Sequence, residues 1–128
     1  MEDVQKASGS NRCQGLQESV DFSMRYEAFR NRLIAAVLHT PGDTPEAVRR
    51  AAFEHAGGTR DGVPPALTHY VDTVAGHAYR VTDADVAALQ AAGFSDDSIF
   101  EITVATAVGA ALHRLDRGMA ALRGEEPD

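Results

Sequence analysis

The residues with the greatest chemical capacity in this chain are one carboxyl and two histidines. Glu101 is the only charge between Asp97 and Arg114, in a stretch of otherwise apolar and small side chains. A carboxyl buried alone in such a stretch must protonate or find a partner, because desolvation disfavours its ionised form. Two expectations follow. Either Glu101 reaches solvent within the first turns of its helix, stabilised by the positive end of the dipole, or it is a proton-transfer group with a raised pKa. His77 and His113 are its candidate partners. His113 lies twelve residues along the same helix, roughly 18 Å at the helical rise, so only a second subunit could bring it back. His77 flanks the buried stripe of a preceding helix and is the better placed. The catalytic candidates are therefore Glu101, His77 and His113.

A small acidic substrate would need a cation, and Arg80 supplies one close to His77. Tyr70 flanks the same stripe. Thr103, Thr106, Gly109 and Ala110 form a line of small side chains on the last helix. Such a line lets another backbone pack closely or leaves room for a ligand; in the second case Thr103 and Thr106 join Arg80 and Tyr70 as substrate contacts. No metal or cofactor is expected. His69 and His77 are two turns apart, and the tight His-x-x-x-His spacing of a helical metal site is missing. Cys13 is the only cysteine. It has no resolving partner, and only Arg12 lies near to lower its pKa.

These residues must be positioned by helices. Phe22, Tyr26, Phe29, Leu33, Ile34 and Val37 recur at helical spacing, and Pro41 ends that helix. Thr44-Pro45-Glu46 reads as a second start, with Thr44 as N-cap and Pro45 at the first helical position. Val48, Ala51, Ala52 and His55 are its inner residues, and Gly57-Gly58 its stop. A third helix should open at Pro64-Pro65 and bury Leu67, Val71, Val74, Ala78 and Val81. Thr82 and Asp85 form a capping box for a short fourth helix, which Gly93 terminates. Ser95 caps the last and longest helix, which runs to about Arg123.

That last helix carries one continuous apolar stripe: Phe100, Val104, Val108, Ala111, Leu115, Met119 and Leu122. Ile99, Ile102, Ala105 and Leu112 cover a second face. A helix apolar nearly all round is expected to be buried on most sides, which in so short a chain implies a subunit interface. A homo-oligomer is expected, a dimer or a trimer-based assembly. No strand pattern occurs. The expected fold is all-α, a bundle of about five to six helices over residues 21–123, with a flexible arm at 1–20 and a frayed tail at 124–128.

The chain has 128 residues, a single-domain length; 44% are hydrophobic and 24% charged. A net charge of −7 disfavours a nucleic-acid surface or an anionic membrane as partner. No run is long enough to span a bilayer, and from the polar N-terminal residues no secretory leader is expected. With a single cysteine, a cytoplasmic location is expected.

The stretches VPPALTHYVDTVAGHAY, DVAALQAAGFSDDSIFE and VATAVGAALHRL together resemble the helical core of the alkylhydroperoxidase D / carboxymuconolactone decarboxylase family. Ala92-Gly93-Phe94-Ser95 is similar to the family's turn into its long helix, and His113-Arg114-Leu115 to its Asn-Arg-Leu ending. The resemblance covers about half the chain and implies an alkylhydroperoxidase D-like bundle. The peroxidatic members carry Cys-x-x-Cys-x-x-x-His before that turn. Here those positions fall at Ala78, Val81 and Asp85, so thiol peroxidase chemistry by that route is excluded. The decarboxylase branch needs only acid-base groups and a cationic substrate site. The resemblance therefore implies a cofactor-free protein that handles or binds a small organic acid. A non-catalytic helical assembly protein is the alternative.

Overall fold

In the computed structural model, residues 23–59 and 61–125 are described. Cys13, Phe22, the arm at 1–20 and the end of the tail lie outside them. Two compact units divide the chain, Met1–Ala36 and Val37–Asp128. The division falls within the first helix, α1, which spans residues 23–38. In the first unit the Arg30 Nη1 donates to the Tyr26 hydroxyl one turn back, at 3.2 Å, and Met24 and Phe29 are exposed.

The second unit holds the core. After α1 come α2 (Glu46–Ala56), α3 (Pro65–His77), a 3-10 turn (Ala78–Arg80), α4 (Asp83–Ala91) and α5 (Asp96–Leu122). The described residues contain helices and no strand, so the all-α expectation holds. Ala52, Leu67, Tyr70, Val71, Val74, Leu89, Ile99 and Ile102 form one apolar cluster, with Val48, Val63, Val81, Val86 and Phe94 packed around it.

The helix starts follow the local chemistry closely. Thr82 Oγ1 accepts from the Asp85 amide, and Asp85 returns a bond to the Thr82 amide, completing the capping box. The Ser95 hydroxyl accepts from the Ser98 amide. Gly93 takes φ +100°, the left-handed conformation that a non-glycine residue rarely adopts.

Three expectations are corrected. Pro45, not Thr44, is the N-cap of α2, and it makes no side-chain capping bond. Thr44 is buried instead, and its hydroxyl donates to the Ser98 carbonyl at 3.4 Å. Second, α3 stops at His77, short of Ala78 and Val81. Thr82 must be extended to cap α4, and Val81 before it is extended as well, with ψ 129°. Ala78 is consequently exposed and Val81 half-buried.

Third, the long apolar stripe of α5 is not its buried face. Ile99, Ile102, Ala105, Thr106, Gly109, Ala110 and Leu112 are buried, whereas Phe100 is 69% exposed and Leu122 82%. Small side chains decide this choice. A Cβ on Gly109 would lie 2.3 Å from the Phe53 carbonyl oxygen, so the α2 backbone rests directly on the glycine. Bulky stripe residues could not admit a helix so closely.

Candidate functional site

Among the described residues two recesses adjoin the core, and only the first gathers residues that the sequence singles out as a site. The first, about 250 Å³, is lined by His69, Asp72, Thr73, His77 and Arg80. Residues three and four apart share a helix face, so α3 presents His69, Asp72, Thr73 and His77 together. The 3-10 turn then carries Arg80 round to the same opening. Tyr79 braces both ends of this group: the His77 ring meets it edge-on at 5.9 Å, and the Arg80 guanidinium lies 5.6 Å from its centroid.

Behind the opening, Asp72 Oδ1 lies 2.5 Å from Nε2 of His55. His55 comes from α2 and its side chain is 5% exposed, while Asp72 is about half exposed. The other ring nitrogen of His55, Nδ1, is buried without a hydrogen-bond partner. The Nε2–H tautomer suits both observations: it donates to Asp72 and leaves Nδ1 as a bare acceptor rather than an unmatched donor. At the rim, His69 Nε2 is 3.5 Å from Asp85 Oδ1. The Asp85 carboxyl is held below its ordinary value, first by the Thr82 amide and to a lesser extent by His69.

The second recess, about 410 Å³, lies between the α1–α2 connection and the α4–α5 turn. Asp43, Thr44, Pro45, Val48, Gly93, Phe94, Ser95 and Ser98 line it. Ser95 donates to Asp43 Oδ2 across it at 3.2 Å.

Of the seven residues chosen from sequence, His77 and Arg80 share the first recess. Glu101 does not join them. Its two carboxylate oxygens accept the backbone amides of Asp43 and Thr44, at 2.9 and 2.8 Å. Burial is the largest single influence on Glu101 and raises its pKa. The two amides, the Thr44 hydroxyl and the Arg49 charge together outweigh it, so the net shift is downward. The expectation of a raised pKa is thereby corrected: donors to the ionised form outweigh desolvation. Among the described residues no hydrogen bond or ion pair joins Glu101 to a histidine. His113 is exposed on α5, beside the end of α2, where a Cβ on Gly57 would lie 3.8 Å from its Nδ1.

Tyr70, Thr103 and Thr106 face inward and line neither recess. Thr103 gives its one hydroxyl proton to the Ile99 carbonyl at 2.6 Å. The 2.7 Å contact between Thr103 and Tyr70 must therefore be donated by the tyrosine. Thr106, fully buried, donates to the Ile102 carbonyl at 2.7 Å. These hydroxyls turn back on their own helix, and the small-residue line serves close packing. Among the described residues no group of three or more His, Cys, Asp or Glu side chains is arranged to hold a metal ion.

The sequence reading missed the His55–Asp72 pair. His55 stood on the inner face of α2, and a buried histidine on an apolar face implies a polar partner somewhere. Only the packing of α2 against α3 identifies it. No family model, curated protein or solved structure matches the chain.

Proposed function

We propose that this chain is a carboxymuconolactone decarboxylase-like protein without redox cysteines, and that it binds a small organic acid in the α3 recess. The observation that carries this reading is the meeting of His77 and Arg80 with His69, Asp72 and Thr73 around one opening. The Arg80 guanidinium pairs with the ligand carboxylate through its fixed fork of donors. The Thr73 hydroxyl is already bonded to the His69 carbonyl and contributes shape rather than a donor. Asp72, oriented by His55, and His77 are the groups placed to accept and return a proton at the carbon next to that carboxylate. Glu101 and His113 take no part.

Isothermal titration with a panel of short mono- and dicarboxylates, against the matching amides, tests the binding. Carboxylates should bind and amides should not, and Arg80→Gln should weaken binding at least about tenfold, in keeping with loss of a charge-assisted pair. Binding that survives this substitution unchanged refutes the assignment. For the proton step, the bound acid should exchange its α-hydrogen with deuterated solvent, and Asp72→Asn should abolish the exchange.

A second reading, helical assembly, is favoured by the exposure of Phe100, Leu115, Met119 and Leu122 along α5. The two are compatible, and we propose that the chain acts as a homo-oligomer. Light scattering at micromolar concentration should give a multiple of the 13.7 kDa chain mass; the single-chain mass would refute it. No helix among the described residues is long and apolar enough to cross a membrane.

A further inference from the structure

Two opposite charges share the α3 recess without neutralising each other. Arg80 and Asp72 both line it, yet among the described residues no ion pair joins them. Each has its own support. The Arg80 guanidinium lies over the Tyr79 ring, 5.6 Å from its centroid. Asp72 is held from behind by His55, through Oδ1 alone. Its other oxygen, Oδ2, has no hydrogen-bond partner among the described residues, and the side chain is about half exposed. The Nε2–H tautomer of His55 is uncharged, so its bond orients the carboxylate without cancelling the charge.

A ligand that carries only carboxylates is a poor match for such a wall. Once one carboxylate pairs with Arg80, the rest of the ligand shares the recess with Asp72. Asp85 stands at the rim beside His69, and the Thr82 amide favours its ionised form. With the imidazoles uncharged, the opening holds one cation, Arg80, against two anions, Asp72 and Asp85. A second ligand carboxylate would therefore be set against like charge. A plain alkyl tail would desolvate Asp72 Oδ2 and give it no donor. An ammonium group answers both costs.

We infer that the recess is a zwitterion site, which takes a small amino acid with its carboxylate on Arg80 and its ammonium on Asp72 Oδ2. This rests on the organic-acid reading above and names the class of acid. The volume, about 250 Å³, lies below the roughly 300–1,000 Å³ typical of pockets for larger ligands, and suits an amino acid of a few carbons. With both Asp72 oxygens engaged, the proton exchange proposed above is left to His77.

Isothermal titration at pH 8, where an ordinary imidazole is uncharged, tests the assignment. The probes are L-alanine, β-alanine, propionate, malonate and ethylamine, which are all short and differ in their charged ends. At least one amino acid should bind about tenfold or more tighter than propionate or ethylamine, the loss expected when one charge-assisted pair is removed. Malonate should be the weakest acid. Asp72→Asn should bring the amino acid down to the level of propionate. The asparagine carbonyl still accepts from His55 Nε2, so circular dichroism should show the fold retained; the ranking by the unmodified protein is decisive without the variant. Propionate or malonate binding as tightly as both amino acids would overturn the zwitterion assignment and leave the organic-acid reading standing. So would an unaltered amino-acid preference in folded Asp72→Asn. Ethylamine binding as tightly as the amino acids would remove Arg80 from the site and overturn both, as would the absence of binding by every carboxylate.

Discussion

Gly109→Ala is expected to destabilise the fold, although alanine is the better helix former. In a helix interior that exchange alone favours folding by about 0.8–1.0 kcal/mol. Here the added Cβ would meet the Phe53 carbonyl oxygen at 2.3 Å and two further Phe53 backbone atoms at 3.0 Å. A flexible side chain could swing aside, but helical backbone in the last turn of α2 cannot. The whole of α2 would have to lift from α5, loosening contacts made by Ala52 and Ala105, both almost fully buried. Overpacking of a tight core costs about 1–3 kcal/mol, and a rigid neighbour places this case at the upper end. The net loss is then about 1–2 kcal/mol, or roughly 3–10 °C in Tm for a chain of this length. Gly118→Ala is the control on the same helix, because its Cβ would meet nothing within 4 Å. It should stabilise by up to about 1 kcal/mol. Urea unfolding followed by circular dichroism at 222 nm reads both variants. If Gly109→Ala raises the midpoint as Gly118→Ala does, the close approach of α2 and α5 is refuted.

Three further outcomes are expected. Glu101→Gln should cost about 1–2 kcal/mol at neutral pH, since an amide oxygen accepts more weakly than a charged carboxylate and its NH2 opposes a backbone N–H. Because the folded-state pKa of Glu101 lies below its ordinary 4.5, its contribution is present above that value and is lost as pH falls through the folded pKa. The variant should therefore show a shallower loss of stability below pH 4.5, and an acid limb identical to the parent would contradict the hold on Asp43 and Thr44. Arg49 is buried and donates to the carbonyls of Val37 and Thr40 at 3.0 and 2.7 Å; Arg49→Ala should cost about 2–4 kcal/mol by leaving those acceptors unmatched, measured by thermal unfolding. Thr82→Ala removes one half of the α4 capping box and should cost about 1 kcal/mol, with amide exchange accelerated at Asp85.

The helix inventory was legible in the sequence because its signals are local. Thr82, Ser95 and Gly93 act on amides and dihedrals within a few residues of themselves, and each does in the structure what its type implies. The face of α5 that is buried was not legible. Both faces are apolar, and hydrophobicity alone favours the bulkier one. The choice depends on which face lets α2 approach, a property of Gly109 and Ala105 together with the backbone of Phe53. The site was half legible for the same reason. His77 and Arg80 are three residues apart and share an opening by local geometry. His55 and Asp72 meet only because α2 packs on α3.

Glu101 shows how a residue with the right chemistry can be given a structural task by its surroundings. A lone carboxyl on an apolar helix needs donors, and the sequence offered histidines. The fold offered something nearer: the connection from α1 to α2 crosses the start of α5 and exposes two backbone amides there. Gly42 leaves the carboxylate its place there, because a Cβ at this position would fall 2.2 Å from Glu101 Oε1 and push that side chain off its two amides. Two amides and an arginine charge fix the carboxylate in its ionised form, where a general acid would require the opposite bias. His77 stays apart from it, on the recess with Arg80 and Asp72. The group at the end of α3 is one that the α4 capping box helps to build: extension at Val81 and Thr82 ends the 3-10 turn just after Arg80.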